Sequence, residues 1–192
     1  EVIALGTSRV MQFKSEYFSQ GFYNCGGAVG RNFDEYLNFI KTLDYTPQVI
    51  ILGLDQWIFN DEWNQLYVGY TPVQMINRNK ISMMRDMIKD LFRQSWDFDR
   101  IENYPMNYGF NGRVKDSGYQ WDGSYYNGAA CQYPAEQEDY LFQNTFTRIE
   151  EGNRRFEWGE HVDNETCEYL SALLGYCKEN HIVVFGFTPP YA

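Results

Sequence analysis

Val2, Ile3, Ala4 and Leu5 form an unbroken apolar run that stops at Gly6. Unbroken rather than alternating hydrophobicity is the pattern of a strand covered on both faces, as in a parallel sheet. Phe22-Tyr23-Asn24-Cys25 reads as a second short strand feeding Gly26-Gly27-Ala28-Val29-Gly30, a loop open to backbone angles that a side chain would forbid. A helix follows, with Asn32 and Glu35 spaced as in a capping box and Tyr36, Leu37, Phe39, Ile40 and Leu43 on one face. Pro47 interrupts it, and Val49-Ile50-Ile51-Leu52-Gly53 is the clearest buried strand, running directly into Leu54-Asp55-Gln56-Trp57.

From about residue 60 to residue 160 the pattern changes. A helix is expected from Pro72 to Gln94, where Met75, Ile76, Met84, Met87, Ile88 and Leu91 read as a packing stripe. The stretch from Trp96 to Pro134 is dense in Tyr, Asn, Gly and Trp with little periodicity, so it is expected to be an irregular, aromatic-rich insertion over one end of the sheet. Regularity returns with a helix from about Asp163 to Asn180, carrying Leu170, Leu173, Leu174 and Cys177 on one face. It leads into a strand over Ile182 to Phe187 that ends at Thr188-Pro189-Pro190. Strands joined by helices imply an α/β domain, 1–192, with a mostly parallel sheet and helices on both faces as three α/β/α layers. Sites in such sheets lie at the carboxyl ends of the strands. Three loops qualify: Gly6-Thr7-Ser8-Arg9, Asn24-Cys25-Gly26-Gly27 and Gly53-Leu54-Asp55-Gln56.

Composition narrows the partners. Aromatic residues make up 18% of the 192 positions, while the mean hydropathy is -0.54, so many aromatics sit among polar neighbours; that suits a sugar-facing surface as well as a core. A net charge of -10, with no Lys/Arg run, argues against nucleic acid as a partner. Cys25, Cys131, Cys167 and Cys177 show no C-x-x-C spacing, so no thiolate metal site is expected. Cys167 and Cys177 are separated by about 15 Å along one helix, too far for a disulfide. No apolar run approaches the roughly 20 residues needed to span a bilayer. The chain opens abruptly on a core strand, from which a trimmed domain is expected, with any leader or membrane anchor ahead of it.

A strand ending in Gly6-Thr7-Ser8-Arg9, a second ending in Asn24-Cys25-Gly26-Gly27 and a third ending in Gly53-Leu54-Asp55-Gln56 resemble the first three sequence blocks of the SGNH (GDSL-like) hydrolase superfamily. The resemblance is to its cell-envelope branch, which modifies polysaccharides and teichoic acids; Asp122-Gly123-Ser124-Tyr125 and the Tyr176 to Pro190 stretch are similar to that branch too. It implies a flavodoxin-like, three-layer sheet and a serine esterase or O-acyltransferase without cofactor or metal, acting outside the cytoplasm on a carbohydrate or acylated small molecule. Assembly partners at the membrane would be reached through segments absent from this chain. Ser8 matches the nucleophile, whose hydroxyl attacks an ester carbonyl once a base takes its proton. Gly27, or Gly26 beside it, matches the glycine whose N–H joins that of Ser8 in stabilising the oxyanion.

Where many members carry an oxyanion-binding Asn, this chain has Asp55 followed by Gln56. A carboxylate would repel the developing charge, so Gln56 is the candidate donor and Asp55 a site-lining residue. Arg9, Asn24, Trp57, Asp122 and Ser124 are candidate substrate contacts. The family's Asp and His stand near its C-terminal end, and no Asp-x-x-His occurs here, so the domain is expected to be incomplete at its C-terminus. Of the two histidines, His161 falls on the same face as Ser8 and His181 on the opposite one. Two alternatives stay open: an SGNH-like carbohydrate-binding or assembly module without catalysis, and a flavodoxin-like ligand-binding domain using the glycine loop. Residue by residue, Ser8 could also be a helix cap and the glycines a plain turn.

Overall fold

The computed structural model describes residues 1–27, 32–65, 85, 88, 117–137 and 139–189. In chain order the elements are β1 (Val2–Leu5), β2 (Phe22–Asn24), α1 (Phe33–Thr42), β3 (Val49–Gly53), α2 (Asp61–Gln65), β4 (Ser117–Tyr119), β5 (Tyr125–Asn127), α3 (Gly128–Gln132), α4 (Gln143–Glu151), α5 (Asn164–Glu179) and β6 (Val183–Phe187). Short 3-10 turns cover Val10–Gln12, Ser15–Tyr17 and Gln56–Phe59.

The apolar runs become a four-stranded sheet ordered β2-β1-β3-β6. All three pairings are parallel, with Val2 beside both Phe22 and Val49, and Val49 beside Val183. The chain is therefore of the α/β class. Because the strands are parallel, the loops after β1, β2 and β3 leave the sheet at one rim.

One face of the sheet packs on α1 and α5. Ile3, Leu5, Ile50 and Leu52 point into a core shared with Phe33, Tyr36, Leu37 and Ile40 of α1 and with Leu173 and Cys177 of α5. Each such apolar side chain contributes roughly 1.5–3 kcal/mol when fully buried. Helix α1 starts where its capping residues require, since the Asn32 side chain accepts from the Glu35 N–H at 2.9 Å. Asp34 and Glu35 in its first turn and Lys41 in its last complement the helix dipole. Helix α5 is capped by Asp163, which accepts from the Thr166 N–H at 3.0 Å and from its hydroxyl at 2.6 Å. The same buried hydroxyl also reaches the Ile58 carbonyl at 3.2 Å, tying the start of α5 to the exit of β3.

On the other face Val2, Ala4 and Ile51 meet Val10 and Phe22, with Phe13, Phe18 and Phe187 around them. Among the described residues this face carries 3-10 turns rather than α-helices. Among the described residues β2 and β6 are the outer strands, and Val183 and Phe185 of β6 are exposed. Among the described residues no helix is long and apolar enough to cross a membrane.

The stretch read as irregular is more ordered than its sequence pattern suggests. β4 and β5 form an antiparallel hairpin with Tyr119 opposite Tyr125, followed by α3, and α4 was not expected at all. Three-residue strands are too short to display alternation, which is why the pattern hid them. Most of the helix expected from Pro72 to Gln94 lies outside the described residues, of which Arg85 and Ile88 are helical.

The hairpin's turn docks on the outer edge of the sheet. The Asn24 N–H, on the side of β2 away from β1, donates to the Asp122 carbonyl at 2.7 Å, so an edge that would otherwise be open is partly covered. Gly123 makes the approach possible: its φ is +78°, and a Cβ there would lie 2.0 Å from the Asn24 carbonyl oxygen. Gly123→Ala is therefore expected to cost on the order of 2–4 kcal/mol, from left-handed strain together with overpacking. Urea unfolding checks the value, and a loss below about 1 kcal/mol would show that the hairpin does not dock this way.

Candidate functional site

Ser8 is exposed in the turn that follows β1. The glycine loop after β2 comes directly against it: a Cβ on Gly27 would stand 3.6 Å from the Ser8 Cα. Gly27 has φ +70° and is itself exposed. Asp55, at the end of β3, holds the same turn from the other side through Thr7 and Arg9. The three loops thus meet at one rim, with a hydroxyl at the point where they converge.

Two buried polar side chains fix the turn. Asn24 is 2% exposed. Its amide donates to the carbonyls of Val10 and Phe13, both at 2.9 Å, and its Oδ1 accepts from the Gly26 N–H at 2.8 Å. Asp55 is 0% exposed. Its Oδ2 accepts from the Thr7 hydroxyl at 2.6 Å, and its Oδ1 lies 3.5 Å from Arg9 Nε. The Thr7 oxygen in turn accepts from the Arg9 N–H at 3.4 Å. Burial first, and after it the charges of Asp55 and Glu35, push the Tyr36 hydroxyl well above the usual tyrosine range, so the tyrosine stays neutral in the core.

These bonds correct several sequence-based assignments. The Gly27 N–H donates to the Gly6 carbonyl at 2.8 Å and the Gly26 N–H to Asn24, so neither points to an oxyanion. Asn24 has spent its amide inside the fold and does not face a substrate. Asp55 braces the Ser8 turn instead of lining an open site, whereas Arg9, partly exposed, reaches the rim while paired to it. Trp57 is 6% exposed, with Arg155 over its ring at 5.1 Å and Trp63 against its edge at 5.0 Å. It is the floor of a groove rather than an open platform. Gln56 is exposed at the start of the 3-10 turn, and Ser8 is exposed in the turn after β1.

Asp122 and Ser124 are also interior. The Asp122 carboxylate accepts from the Ser15 N–H at 2.7 Å, the Ser124 hydroxyl at 2.6 Å and the Ser124 N–H at 3.0 Å. They join the hairpin to the turn after β1 and are not available to a glycan. Sequence reading missed this because both partners of Asp122 across the fold, Ser15 and Asn24, are distant in the chain.

The histidines fall on opposite rims. His161 is exposed and lines a groove of about 600 Å3 together with Gln56, Phe59 and Asn60. His181 stands between α5 and β6, at the amino end of the sheet. Among the described residues no three His, Cys, Asp or Glu gather as a metal site would require. All four cysteines are free thiols. Burial raises Cys25 to about 11, so the thiol beside the glycine loop stays protonated and unreactive at neutral pH.

The chain matches no protein-family model, and neither a curated protein nor a solved structure proves similar to it.

Two expectations follow from this geometry. Thr7→Val keeps the shape of the side chain but removes the donor to a buried carboxylate, and is expected to lower stability by about 1.5–3 kcal/mol in urea unfolding. A change within about 0.5 kcal/mol would mean that Asp55 does not depend on it.

Asp122 contributes to the response to acid. Burial opposes its charge, but the hydrogen bonds from Ser124 and Ser15 outweigh that and hold the carboxyl below its ordinary value of 3.8. A depressed folded value means that the stabilisation is complete above the unfolded pKa and is lost as pH falls through the lowered one. The urea midpoint of the native chain should therefore fall more steeply below about pH 4 than that of Asp122→Asn. Parallel curves would remove Asp122 from the acid transition.

Proposed function

We propose that this chain is the nucleophile-bearing part of an SGNH-like serine esterase or O-acyltransferase that acts on acyl groups of envelope or secreted carbohydrate. The observation that carries the reading is the convergence of the Ser8, Gly27 and Asp55 loops at the carboxyl rim of a parallel sheet, with Ser8 exposed and Gly27 against it. The strand order β2-β1-β3-β6 is the order with which a flavodoxin-like doubly wound sheet begins, and helices on both faces belong to this reading.

In this mechanism the Ser8 oxygen attacks the ester carbonyl, its proton passes to a general base, and the alcohol leaves to give an acyl-serine. Water or a sugar hydroxyl then attacks that acyl group and releases Ser8. Because the glycine N–H groups are already bonded, the negative charge on the carbonyl oxygen is met by the Ser8 N–H and the Gln56 amide. Each such donor is worth about 2.7–4 kcal/mol of transition-state stabilisation. The base, on this reading, is the Asp–His pair that the family carries after a further strand.

A second reading is favoured by those same engaged glycine amides and by the buried carboxylate where many members have an amide. It is a non-catalytic module of the same fold, holding carbohydrate without turning it over. Incubating the protein, extended to include the family's Asp–His segment, with an activated acetyl ester separates the two. Mass spectrometry should find one added acetyl group on the Ser8 peptide, and Ser8→Ala should abolish turnover while keeping glycan affinity. A folded protein that yields no adduct and no turnover would favour the binding module.

A further inference from the structure

We infer that the groove beside Gln56, built around the exposed indole of Trp158, is a binding subsite for uncharged hexopyranose units of a glycan. As a place for the acceptor or the acylated chain it rests on the carbohydrate reading above, but binding itself needs no chemistry at Ser8.

Trp158 is 76% exposed, yet it is held in place. Its Nε1 donates to the Ile149 carbonyl in the last turn of α4 at 3.1 Å. Its ring packs on Gly152, where a Cβ would come within 3.0 Å of the indole. The neighbouring segment is strapped to the exit of β3. Asn60 Nδ2 donates to the Glu157 carbonyl, Asn60 forms a β-bridge with Val162, and the Asp163 N–H donates to the Phe59 carbonyl at 2.8 Å. The segment reaches this position through Arg154 and Arg155, which have φ of +51° and +86°. Side chains rarely adopt such angles, and strain of this kind is concentrated at ligand clamps. An indole oriented by its own hydrogen bond, beside two residues in the left-handed region, is the kind of arrangement found at ligand clamps.

The surroundings select the ligand. Three concavities of about 370, 600 and 330 Å3 share Trp158 and Glu157, and the first two also share Gln56 and Asn60. Each falls in the size range of small-ligand sites. A pyranose presents an apolar C–H face that stacks on an indole and a rim of hydroxyls that pair with planar carboxylates and amides. Glu157, Glu62 and Glu151 supply the carboxylates and Gln56 the amide. Arg155 also lines the groove, over the Trp57 ring, but Glu62, Glu151, Glu157 and Glu160 outnumber it, so on a chain of net charge -10 the groove disfavours phosphate-bearing or uronate polymers. Gln56 is one residue from Asp55, which holds the Ser8 turn, so a chain lying in the groove leads towards the nucleophile.

Titrating the chain with cellohexaose, chitohexaose and polygalacturonate, followed by tryptophan fluorescence and calorimetry, tests the proposal. Saturable binding of at least one of the two neutral hexasaccharides is expected, weakened about tenfold or more by Trp158→Ala and less by Trp158→Phe. Glu157→Gln should weaken it as well, and polygalacturonate should not bind. The proposal is overturned if neither neutral hexasaccharide saturates at millimolar concentration, if Trp158→Ala binds as tightly as the native chain, or if polygalacturonate binds as well as they do. Where Trp158→Ala fails to fold, Trp158→Phe and Glu157→Gln decide. Binding is read without turnover, and Ser8→Ala should bind with the same affinity. A failed titration therefore leaves the Ser8 adduct experiment standing, and a missing adduct leaves the titration standing.

Discussion

A loop that leaves a buried strand takes its backbone carbonyls into the interior with it, and each needs a donor. In the turn after β1 one amide group, that of Asn24, donates to the carbonyls of both Val10 and Phe13, the former also accepting from the Phe13 N–H. A satisfied hydrogen bond of this kind contributes only about 0.5–1.5 kcal/mol net, but a buried group left without its partner costs about 1–3 kcal/mol. The asymmetry makes Asn24 a constraint on the whole rim. If its side chain left, the Phe13 carbonyl and the Gly26 N–H would lose the partner it gives them and the Val10 carbonyl would keep only the Phe13 N–H, so the turn presenting Ser8 would lose its tie to β2. Asp55 applies the same logic from β3, through the Thr7 hydroxyl and Arg9. Its charge is tolerable at 0% exposure because a cation and a hydroxyl stand against it.

That constraint also explains which parts of the molecule were legible in the sequence. Elements that show as apolar runs or helical periodicity were found close to their true bounds: β1, β3 and β6 from apolar runs, α1 from its apolar face and the capping pair Asn32 and Glu35, and α5 from Leu170, Leu173 and Cys177, although Leu174, read on the same face, is exposed. The position of Ser8 at the carboxyl rim follows from strand direction alone. The polar scaffold was illegible because it is made of contacts between distant residues. Asn24 and Asp122 look like substrate contacts when read alone, since polar side chains in loops usually face solvent. Only the fold shows that Asp122 spans 107 positions to reach Ser15. α4 was missed because the core takes little from it: of its described side chains only Thr145 is buried. Its one visible signal was Gly152, a helix-ending residue with φ +61°. Trp158 passed unnoticed for a related reason, since an exposed aromatic makes no periodic pattern.

The engaged glycine amides change how the rim can stabilise charge. In the arrangement that the sequence suggested, the oxyanion would have met backbone dipoles that need no reorganisation. In the structure those dipoles are directed into the fold, at the Gly6 carbonyl and at Asn24. On the proposed reading, a negative charge forming beside Ser8 would meet the Ser8 N–H, with Arg9 of the same turn paired to Asp55. Pairing matters here, because a buried carboxylate alone would oppose a forming anion. The Arg9 guanidinium beside Asp55 offsets that field, so holding the turn with a carboxylate is compatible with the proposed reading.

The exit of β3 is where these requirements meet, and consecutive residues divide them. Asp55 turns inward and holds the Ser8 turn; Gln56 is exposed at the head of the groove; Trp57 turns inward again beneath Arg155, and Ile58 offers its carbonyl to the Thr166 hydroxyl in the first turn of α5. The 3-10 geometry over Gln56–Phe59 makes the division possible, since about three residues per turn send neighbours in different directions within a few ångströms. A straight continuation of the strand would have alternated between two faces and left no residue to point along the rim. The tight turn after Gly53 thus serves packing, the support of the Ser8 turn and the groove at once, and a change in its path would disturb all of them together.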